Sequence, residues 1–330
     1  MRVGQVQPAH REDAFVKKIV VAGEILVEIM ADTTGDGFRG PIALTGPYPS
    51  GAPAIFIDQV ALLGQPCGII SMVGNDDFGR LNVDRLARDG VDVSAIGVDS
   101  DRPTGSAFVR YRADGSRDFV FNIRHSACGT LPQSDAVQVL LQTADHLHVM
   151  GSSLSSPEII GFNMDAARAI RARGGSVSFD PNLRKEILDA PGMAEAMQAI
   201  LALTDLFLPS GDEIALLTSA KDAAGAAAEL LSHGIKAIVH KQGATGVNYI
   251  DASGAQFVPS FKVQEVDPTG AGDCFGGAFT ALWLRGEDIH RALTIAAAAG
   301  ALAVTRRGPM EGASSMEALL AFAASQGRPV

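Results

Sequence analysis

The stretch "VDPTGAGDCFGGAFTALW", Val266 to Trp283, joins a glycine-rich segment and a single carboxylate to a long apolar run. The apolar run predicts a buried helix that begins near Gly270. A helix N-terminus carries unpaired N–H groups and about half a positive charge. Because Gly270, Ala271 and Gly272 have little or no side chain, an anion such as a phosphate can approach these amides closely.

The carboxylate of Asp273, one residue further into this helix, indicates chemistry. A phosphate bound at the helix start would repel it, so its presence there requires a reason. A carboxylate beside an anion hole can accept a proton from a hydroxyl while the amides neutralise the transferred group. The stretch therefore favours phosphoryl transfer from a nucleotide to an alcohol. The alternative is a glycine-rich helix start that packs on a sheet, with Asp273 as an ordinary first-turn acid.

The composition of the 330 residues, 47% hydrophobic and 19% charged, fits one large globular domain. The net charge of −10 and the lack of Lys/Arg clusters argue against nucleic acid and membranes as partners. Three scattered cysteines, Cys67, Cys128 and Cys274, form no disulfide or zinc pattern, which favours the cytoplasm. The most apolar segment, 292–304, is too short to cross a bilayer and predicts a buried helix.

Strand and helix signals alternate along the chain and predict a parallel sheet covered by helices on both faces. For example, the strand run "CGIISMVG" (67–74) precedes the helical pattern "DDFGRLNVDRLARDG" (76–90). The other predicted strands are the start of "KIVVAGEILVEI", then "DHLHVMG", "SVSFDPN", "TDLFLPS" and "KAIVHKQG". Further helices are predicted at 157–175, 211–217, 224–234, 271–285, 288–305 and 315–325.

Two segments interrupt this alternation. "TGSAFVRYRADGSRDFVFNI" (104–123) predicts a hairpin around Asp114-Gly115, and "GFRGPIALTGPYPSGAP" (37–53) is rich in glycine and proline. We expect them to form a small sheet, from about 36–52 and 104–125, that acts as a lid over the carboxyl ends of the strands.

The segment "DPTGAGDCFGGAF" closely resembles the C-terminal signature of the ribokinase-like, or PfkB, family of carbohydrate kinases. The resemblance implies a three-layer α/β/α core with a β-sheet lid, and ATP and Mg²⁺ as co-substrates. It covers the chain from about Ile19, so we expect a single kinase domain over 19–330 after a disordered lead-in of residues 1–18. The other motifs in the family's order are "GEILVEI", "SGAPAIFIDQVALLG", "MVGNDDFG", "FDPNLR", "KQGATGV" and "GALAVTRRG".

The resemblance also implies roles for the residues around the phosphates. By position, Asp273 resembles the catalytic base, and Gly270 to Gly272 resemble the anion hole. "KQGATGV" resembles the nucleotide loop, which places Lys241, Gly243 and Gly246 near ATP.

Metal positions follow from the same resemblance. Glu213 stands where the family carries a glutamate that organises Mg²⁺ through water, although Ser210 replaces a common asparagine. Many members also hold a monovalent cation such as K⁺ beside the segment that "GALAVTRRG" resembles, mostly through backbone carbonyls. The matching positions here are Asp267, Thr269, Val304 and Arg307.

On the substrate side the chain departs from the family. Ser50 replaces the first of two glycines before Gly51, and Ile55 replaces an asparagine that bonds a sugar hydroxyl. Because isoleucine has no hydrogen-bonding group, we expect Asp58 and Gln59, one turn further along, to compensate. Further candidates are Glu28, where many members carry an aspartate that binds sugar hydroxyls; Arg124 at the end of a lid strand; Asp180 and Asn182 after a core strand; and Arg184 on the nucleotide side.

Three further side chains are predicted to have packing roles rather than chemical ones. His146 and His148 share one face of a strand, and we expect them to pack there rather than to bind a metal. Cys274 adjoins the predicted base, and we expect a small core residue rather than a nucleophile.

The predicted function is an ATP-dependent carbohydrate kinase acting on a primary hydroxyl. "GEILVEI" and "FDPNLR" resemble the fructokinase, tagatose kinase and 2-keto-3-deoxygluconate kinase branches more than nucleoside kinases. We therefore expect a ketohexose such as fructose or tagatose. The alternative is a sugar acid, whose carboxylate Arg124 or Arg184 would pair. The resemblance and the apolar hairpin favour a homodimer through the lid.

Two other function classes fit less well. A nicotinamide-dependent dehydrogenase requires G-x-G-x-x-G after an early strand, where this chain has "VVAGEILVE". A binding protein that has lost its chemistry would not need Asp273 beside an anion hole.

Overall fold

The computed structural model describes residues 16–183 and 192–330. Most of the predicted lead-in, residues 1–15, lies outside these ranges. Residues 16–18 were also assigned to it, but Lys18 is held by the domain: its backbone N–H donates to Asp145 Oδ2 at 2.8 Å and its Nζ pairs with Asp92 at 3.0 Å.

Strands of the described residues form two sheets. The large one has nine strands in the order β13-β12-β11-β10-β9-β8-β1-β4-β5, and its strands from β11 to β5 are all parallel. An antiparallel hairpin, β12–β13, closes one edge. The strands are β1 (Ile19–Ala22), β2 (Leu26–Ala31), β3 (Leu44–Ser50), β4 (Cys67–Gly74), β5 (Ile96–Asp99), β6 (Gly105–Tyr111), β7 (Arg117–Asn122), β8 (His146–Met150), β9 (Ser176–Asp180), β10 (Leu206–Phe207), β11 (Ala237–Lys241), β12 (Gly246–Asp251) and β13 (Gly254–Pro259).

The helices begin and end at residues whose chemistry explains the boundaries. The helix at 77–89, for example, begins after Asp76, whose carboxylate accepts the Gly79 N–H at 2.8 Å, and ends at Gly90 in the left-handed region with φ of 100°. The helices are α1 (Ala52–Leu62), α2 (Asp77–Asp89), α3 (Asp135–Thr143), α4 (Pro157–Ala172), α5 (Met193–Leu201), α6 (Glu213–Leu216), α7 (Ala223–Ser232), α8 (Ala271–Leu284), α9 (Ile289–Ala303) and α10 (Met316–Ser325).

Two hydrophobic clusters lie on opposite faces of the large sheet. Successive residues of β1 point alternately into the two clusters. Ile19 and Val21 pack in the cluster that contains α1, α8, α9 and α10. Val20 and Ala22 pack in the cluster that contains α3, α4, α5 and α7. This arrangement confirms the predicted three-layer α/β/α core. No helix within the described ranges combines the length and the apolarity needed to cross a bilayer.

The small sheet has the order β3-β2-β6-β7, and its strand β2 was not predicted separately. The buried strand predicted at the start of the run 18–29 is β1, and it ends at Ala22, before Gly23 and Glu24. A Cβ on Gly23 would collide with Ser153 Oγ, and the Glu24 carboxylate accepts hydrogen bonds from Ser152 at 2.9 Å and Ser153 at 2.5 Å. These close contacts end β1, and β2 then joins the small sheet beside β6.

The buried histidines confirm the structural interpretation. His146 and His148 each place a ring nitrogen 2.7 Å from Ser178 Oγ, and Phe56 stacks on His148 at 3.7 Å. Burial lowers the pKa of His146 to about 3, so its ring is neutral. Cys274 is also buried in the core, as predicted.

Candidate active site

The start of α8 has the bare-backbone geometry that an anion site requires. Gly270 is the N-cap residue in the left-handed region, with φ of 81°, and no side chain caps the helix. A Cβ on Gly270 would collide with the Pro309 carbonyl, so only glycine fits this turn. Gly272 is exposed and Asp273 lies in the first turn. No side chain caps the first amides of the helix, although the Ala271 N–H donates to the Pro268 carbonyl at 3.5 Å.

Residues at the ends of β9 and β11 meet at this helix start. Lys241 Nζ donates to Asp180 Oδ2, and both side chains are nearly buried. Asn182 Nδ2 lies 3.4 Å from Asp273 Oδ1, and a Cβ on Gly272 would lie 3.8 Å from Lys241 Nζ. The structure thus brings the predicted base, the anion hole, Lys241, Asp180 and Asn182 into one site.

Glu213 holds two loops of this site together. Its carboxylate accepts hydrogen bonds from the backbone N–H of Leu183 at 2.8 Å and of Ser210 at 2.7 Å, so it links the loops that follow β9 and β10. Burial, and then the neighbouring charge of Asp180, raise the pKa of Glu213. Within the described ranges no three His, Cys, Asp or Glu side chains cluster as a metal site.

A cleft of about 540 Å³ opens beside the helix start and has the shape and lining for a nucleotide. Lys241, Gly272 and Gly243 form the end of the cleft nearest α8, and Gly243 begins a short 3₁₀ turn that is followed by Gly246, where φ is 139°. The remaining wall of the cleft is largely apolar and suits a planar base. It includes Val247, Phe261, Val263, Phe275, Ala297, Ala301 and Val304.

Arg184, predicted on the nucleotide side, lies outside the described residues.

The small sheet reaches the segment before α8 through two residues that the sequence analysis did not identify. Tyr111 donates to Asp267 Oδ1 at 2.6 Å, and Arg117 donates to Thr269 Oγ1 at 3.1 Å. Burial, with the hydrogen bond to Asp267, raises the pKa of Tyr111, so its hydroxyl stays a donor. The alternating apolar pattern predicted the β6–β7 hairpin, but nothing in the local sequence indicates which residues its tip contacts.

Two residues of the predicted monovalent cation position, Asp267 and Val304, already accept hydrogen bonds within the protein. The Val304 carbonyl accepts the N–H of Val266 at 2.7 Å and of Asp267 at 3.2 Å. The Arg307 guanidinium pairs with Asp32 at 2.8 Å. The donor set is of the hard-oxygen type that suits K⁺, but a cation there would have to share or replace these hydrogen bonds.

The candidate sugar residues divide into two groups. Glu28 is buried and its Oε1 accepts from Ser50 Oγ at 3.2 Å, next to Gly51, whose φ of 112° starts α1. Arg124 is exposed and lines a different cleft, beside Asp76 and the end of β7.

Ile55 and Asp58 are placed differently from the expectation that they face the sugar. Both are buried; Ile55 packs toward Gly270, with its Cγ2 3.3 Å from where a Cβ on Gly270 would stand, and Asp58 pairs with Arg85 at 3.1 Å. Burial raises the pKa of Asp58 to about 7. Neither side chain presents a surface to a ligand, because α1 turns this face into the core.

We expect Ile55→Asn to lower the free energy of unfolding by about 3 kcal/mol, since it buries an amide in an apolar site. The kcat/KM values for different sugars should fall together. Ile55→Val, which removes one methyl group, should cost about 1 kcal/mol and leave activity intact. Chemical denaturation and kinetics on two sugars test this. A tenfold shift in the ratio between the sugars would return Ile55 to the sugar pocket.

Comparisons with known proteins agree with this geometry. The model of the family described as "pfkB family carbohydrate kinase" matches residues 16–316. The chain is similar to the 2-dehydro-3-deoxygluconokinase of Thermoproteus tenax, with 33% identity over 89% of this chain and 90% of the relative. It is similar to the fructokinase of Klebsiella pneumoniae, with 32% identity over 89% of this chain and 95% of the relative.

Solved structures are similar over nearly the whole chain. A putative ribokinase II from E.coli in complex with ATP and Mg²⁺ shares 49% identity over 94% of this chain and 99% of that chain, with a TM-score of 0.88. A double mutant of the fructokinase from Vibrio cholerae O395, with fructose, ADP and potassium ion bound, shares 26% identity over 93% of this chain and 98% of that chain, with a TM-score of 0.79. The chain is a sugar kinase, a phosphotransferase with an alcohol acceptor, and belongs to the pfkB family of carbohydrate kinases.

Proposed function

We propose that the protein transfers the γ-phosphate of ATP to a primary hydroxyl of a ketohexose such as fructose or tagatose. The observation that carries the proposal is the position of Asp273, on a helix start without side-chain caps and beside Asn182. Glu28 and Gly51, at the base of the small sheet, are the proposed sugar contacts, together with Asp180 and Asn182 at the end of β9.

The proposed chemistry uses the chain's own groups at each step. Asp273 accepts the hydroxyl proton as the sugar oxygen bonds to the γ-phosphorus, and the bond to the bridging oxygen breaks to release ADP. The amides from Gly270 to Gly272 and the Lys241 ammonium group neutralise the transferred group. Mg²⁺ carried by the nucleotide phosphates would supply further positive charge, with Glu213 reaching it through water.

The alternative substrate is a sugar acid, 2-keto-3-deoxygluconate. The Thermoproteus tenax relative supports it, because its name denotes a kinase of this compound. Arg124, which is exposed at the end of β7, would have to approach the substrate to pair its carboxylate.

A substrate panel decides between these possibilities. ADP release is measured with ATP and Mg²⁺ against fructose, tagatose, ribose, 2-keto-3-deoxygluconate and a nucleoside. We expect the highest kcat/KM on a ketohexose. A preference of more than tenfold for the sugar acid would favour the alternative, and no sugar-dependent ADP release with any compound would contradict the proposed catalysis.

The small sheet is proposed to act as a lid, with strands from residues 36–52 and 104–125 joined by β2. Replacing both tip contacts, in Tyr111→Phe with Arg117→Gln, should raise KM for the sugar about fivefold, the effect of roughly 1 kcal/mol of lost hydrogen bonding. ATP hydrolysis without sugar should rise as water enters. The matched control is Arg112→Gln, which breaks a tip ion pair with Asp118 and leaves Asp267 and Thr269 untouched. Sugar kinetics equal to the control would mean that the sheet is not a lid.

A monovalent cation is proposed at Asp267, Thr269, Val304 and Arg307, where it would stabilise the anion hole. The Vibrio cholerae fructokinase with potassium ion supports it. Replacing KCl by choline chloride at constant ionic strength should lower kcat, and equal rates in both salts would remove the cation from the proposal.

A homodimer through the small sheet is proposed from its apolar edges. Leu44 on β3 and Val120 on β7 are exposed at opposite edges, and Phe119 and Phe121 stack beside Val120 at 4.9 Å. Sedimentation should show a dimer that Val120→Glu dissociates.

Cytoplasmic localisation is proposed from three buried, unpaired cysteines, and cell fractionation tests it.

A further inference from the structure

The turn at Gly270 is held from two sides. On one side lies Ile55 of α1. On the other lies the segment that follows α9, residues 308–314, which we call the support loop. Its Pro309 carbonyl packs directly against Gly270, and its Gly308 N–H donates to the buried carboxylate of Asp267 at 3.0 Å. The support loop therefore fixes both the anion-hole turn and the residue that begins the segment leading into it.

The support loop is in turn held by a buried glutamine of α1 and a partly buried arginine of α2. Gln59 makes two hydrogen bonds to the Ser314 backbone, from its Nε2 to the carbonyl at 2.8 Å and from the Ser314 N–H to its Oε1 at 3.0 Å. Arg85 donates to the Met310 carbonyl at 2.9 Å and lies 3.5 Å from Glu311.

Arg85 is itself fixed by two carboxylates. It pairs with Asp58 at 3.1 Å and with Asp89 at 2.5 Å, and Asp58 is fully buried. Burying a carboxylate is costly unless a cation and hydrogen bonds compensate it. A helix that only needed to pack would carry apolar residues at positions 58 and 59, so this arrangement requires a reason beyond packing.

We infer that Arg85 and Gln59 are positioning residues of the kinase reaction: they hold the support loop against Gly270 and so set the place of the anion-hole amides. This inference rests on the proposed function. Displacing reacting or stabilising groups by about 1 Å can cost 10²-fold in rate. The effect should appear in kcat rather than in KM, because the anion hole acts on the charge of the transferred group, whereas the sugar contacts and the nucleotide wall lie elsewhere.

Two variants weaken the hold in different ways. Gln59→Met removes both hydrogen bonds to Ser314 without leaving a buried charge. The double variant Arg85→Met with Asp58→Leu removes the cation and its buried carboxylate together, which avoids an unpaired charge in the core. Arg285→Met is the matched control, because Arg285 is also a partly buried arginine that donates to a carbonyl, that of Leu63 at 2.8 Å, but it does not contact the support loop.

Steady-state kinetics and amide hydrogen exchange are measured on all variants, with melting curves to give the folded fraction. We expect kcat per folded molecule to fall about tenfold in both test variants, a fraction of the 10²-fold cost of full misplacement, with KM changed less than twofold. Exchange of the peptide 266–275 should accelerate about tenfold. Arg285→Met should lower only the melting temperature, and Arg85→Lys, which keeps the charge, should recover part of kcat.

Test variants whose kcat and exchange match those of Arg285→Met would overturn the inference. If the wild-type protein shows no sugar-dependent turnover, the proposed function fails, while the exchange of peptide 266–275 still decides whether Arg85 and Gln59 hold the turn.

Discussion

Replacing Asp273 by asparagine is expected to lower kcat by about 10² or more, since a general base typically contributes 10²–10⁴-fold. Asparagine has the same shape but cannot take the proton from the sugar hydroxyl. The site around it should persist, because Lys241 remains paired with Asp180 and the helix start contains no side-chain cap to lose. KM for ATP should therefore change little.

The matched control is Asp212→Asn, an exposed carboxylate that lines the neighbouring cleft. It removes one negative charge near the proposed nucleotide cleft and leaves the start of α8 unchanged, so it separates the loss of a base from a general change in charge. We expect it to keep at least half of the wild-type kcat. An Asp273→Asn protein that retains half of its activity would remove Asp273 from the chemistry.

Local patterns were sufficient to predict most of the core. The run "CGIISMVG" is the strand Cys67–Gly74, with no shift at either end, because a continuous apolar run bounded by turn residues is typical of a buried parallel strand. The helix after the glycine-rich stretch begins at Ala271, as its composition predicted. The hairpin β12–β13 was not predicted, since the prediction ended the strand at "KAIVHKQG" and gave 246–259 no element.

The errors share a physical cause, which is that contacts distant in sequence decide them. The strand β2 was not predicted, because the break before it at Glu24 is held by Ser152 and Ser153, more than 120 positions away. Asp58 was expected at the sugar because it follows Ile55 by one turn, but its partner Arg85 comes from the next helix. The Asp180–Lys241 pair joins two strands in the same way, and the sequence indicated each residue without indicating their contact.

That pair leads to the second large effect. Lys241→Met is expected to lower kcat/KM by about 10²-fold or more, because it removes a cation beside the proposed phosphate position. The free energy of unfolding should also fall by about 3–5 kcal/mol, since Asp180 stays buried without its partner. A loss of activity alone would thus not distinguish a catalytic charge from a structural one.

The double variant Lys241→Met with Asp180→Asn separates the two roles. Asparagine removes the stranded charge and keeps an oxygen for the Asn182 N–H, which Asp180 Oδ1 accepts at 3.1 Å. Chemical denaturation should show that most of the lost stability returns, because replacing both members of a buried pair costs far less than removing one. Kinetics should show that activity stays about 10²-fold below that of the Asp180→Asn single variant, the control for the proposed sugar contact, because the Lys241 cation beside the proposed phosphate position is still missing. A double variant that regains activity along with stability would instead mean that Lys241 serves only to neutralise Asp180, and the anion hole would then have to act through its amides alone.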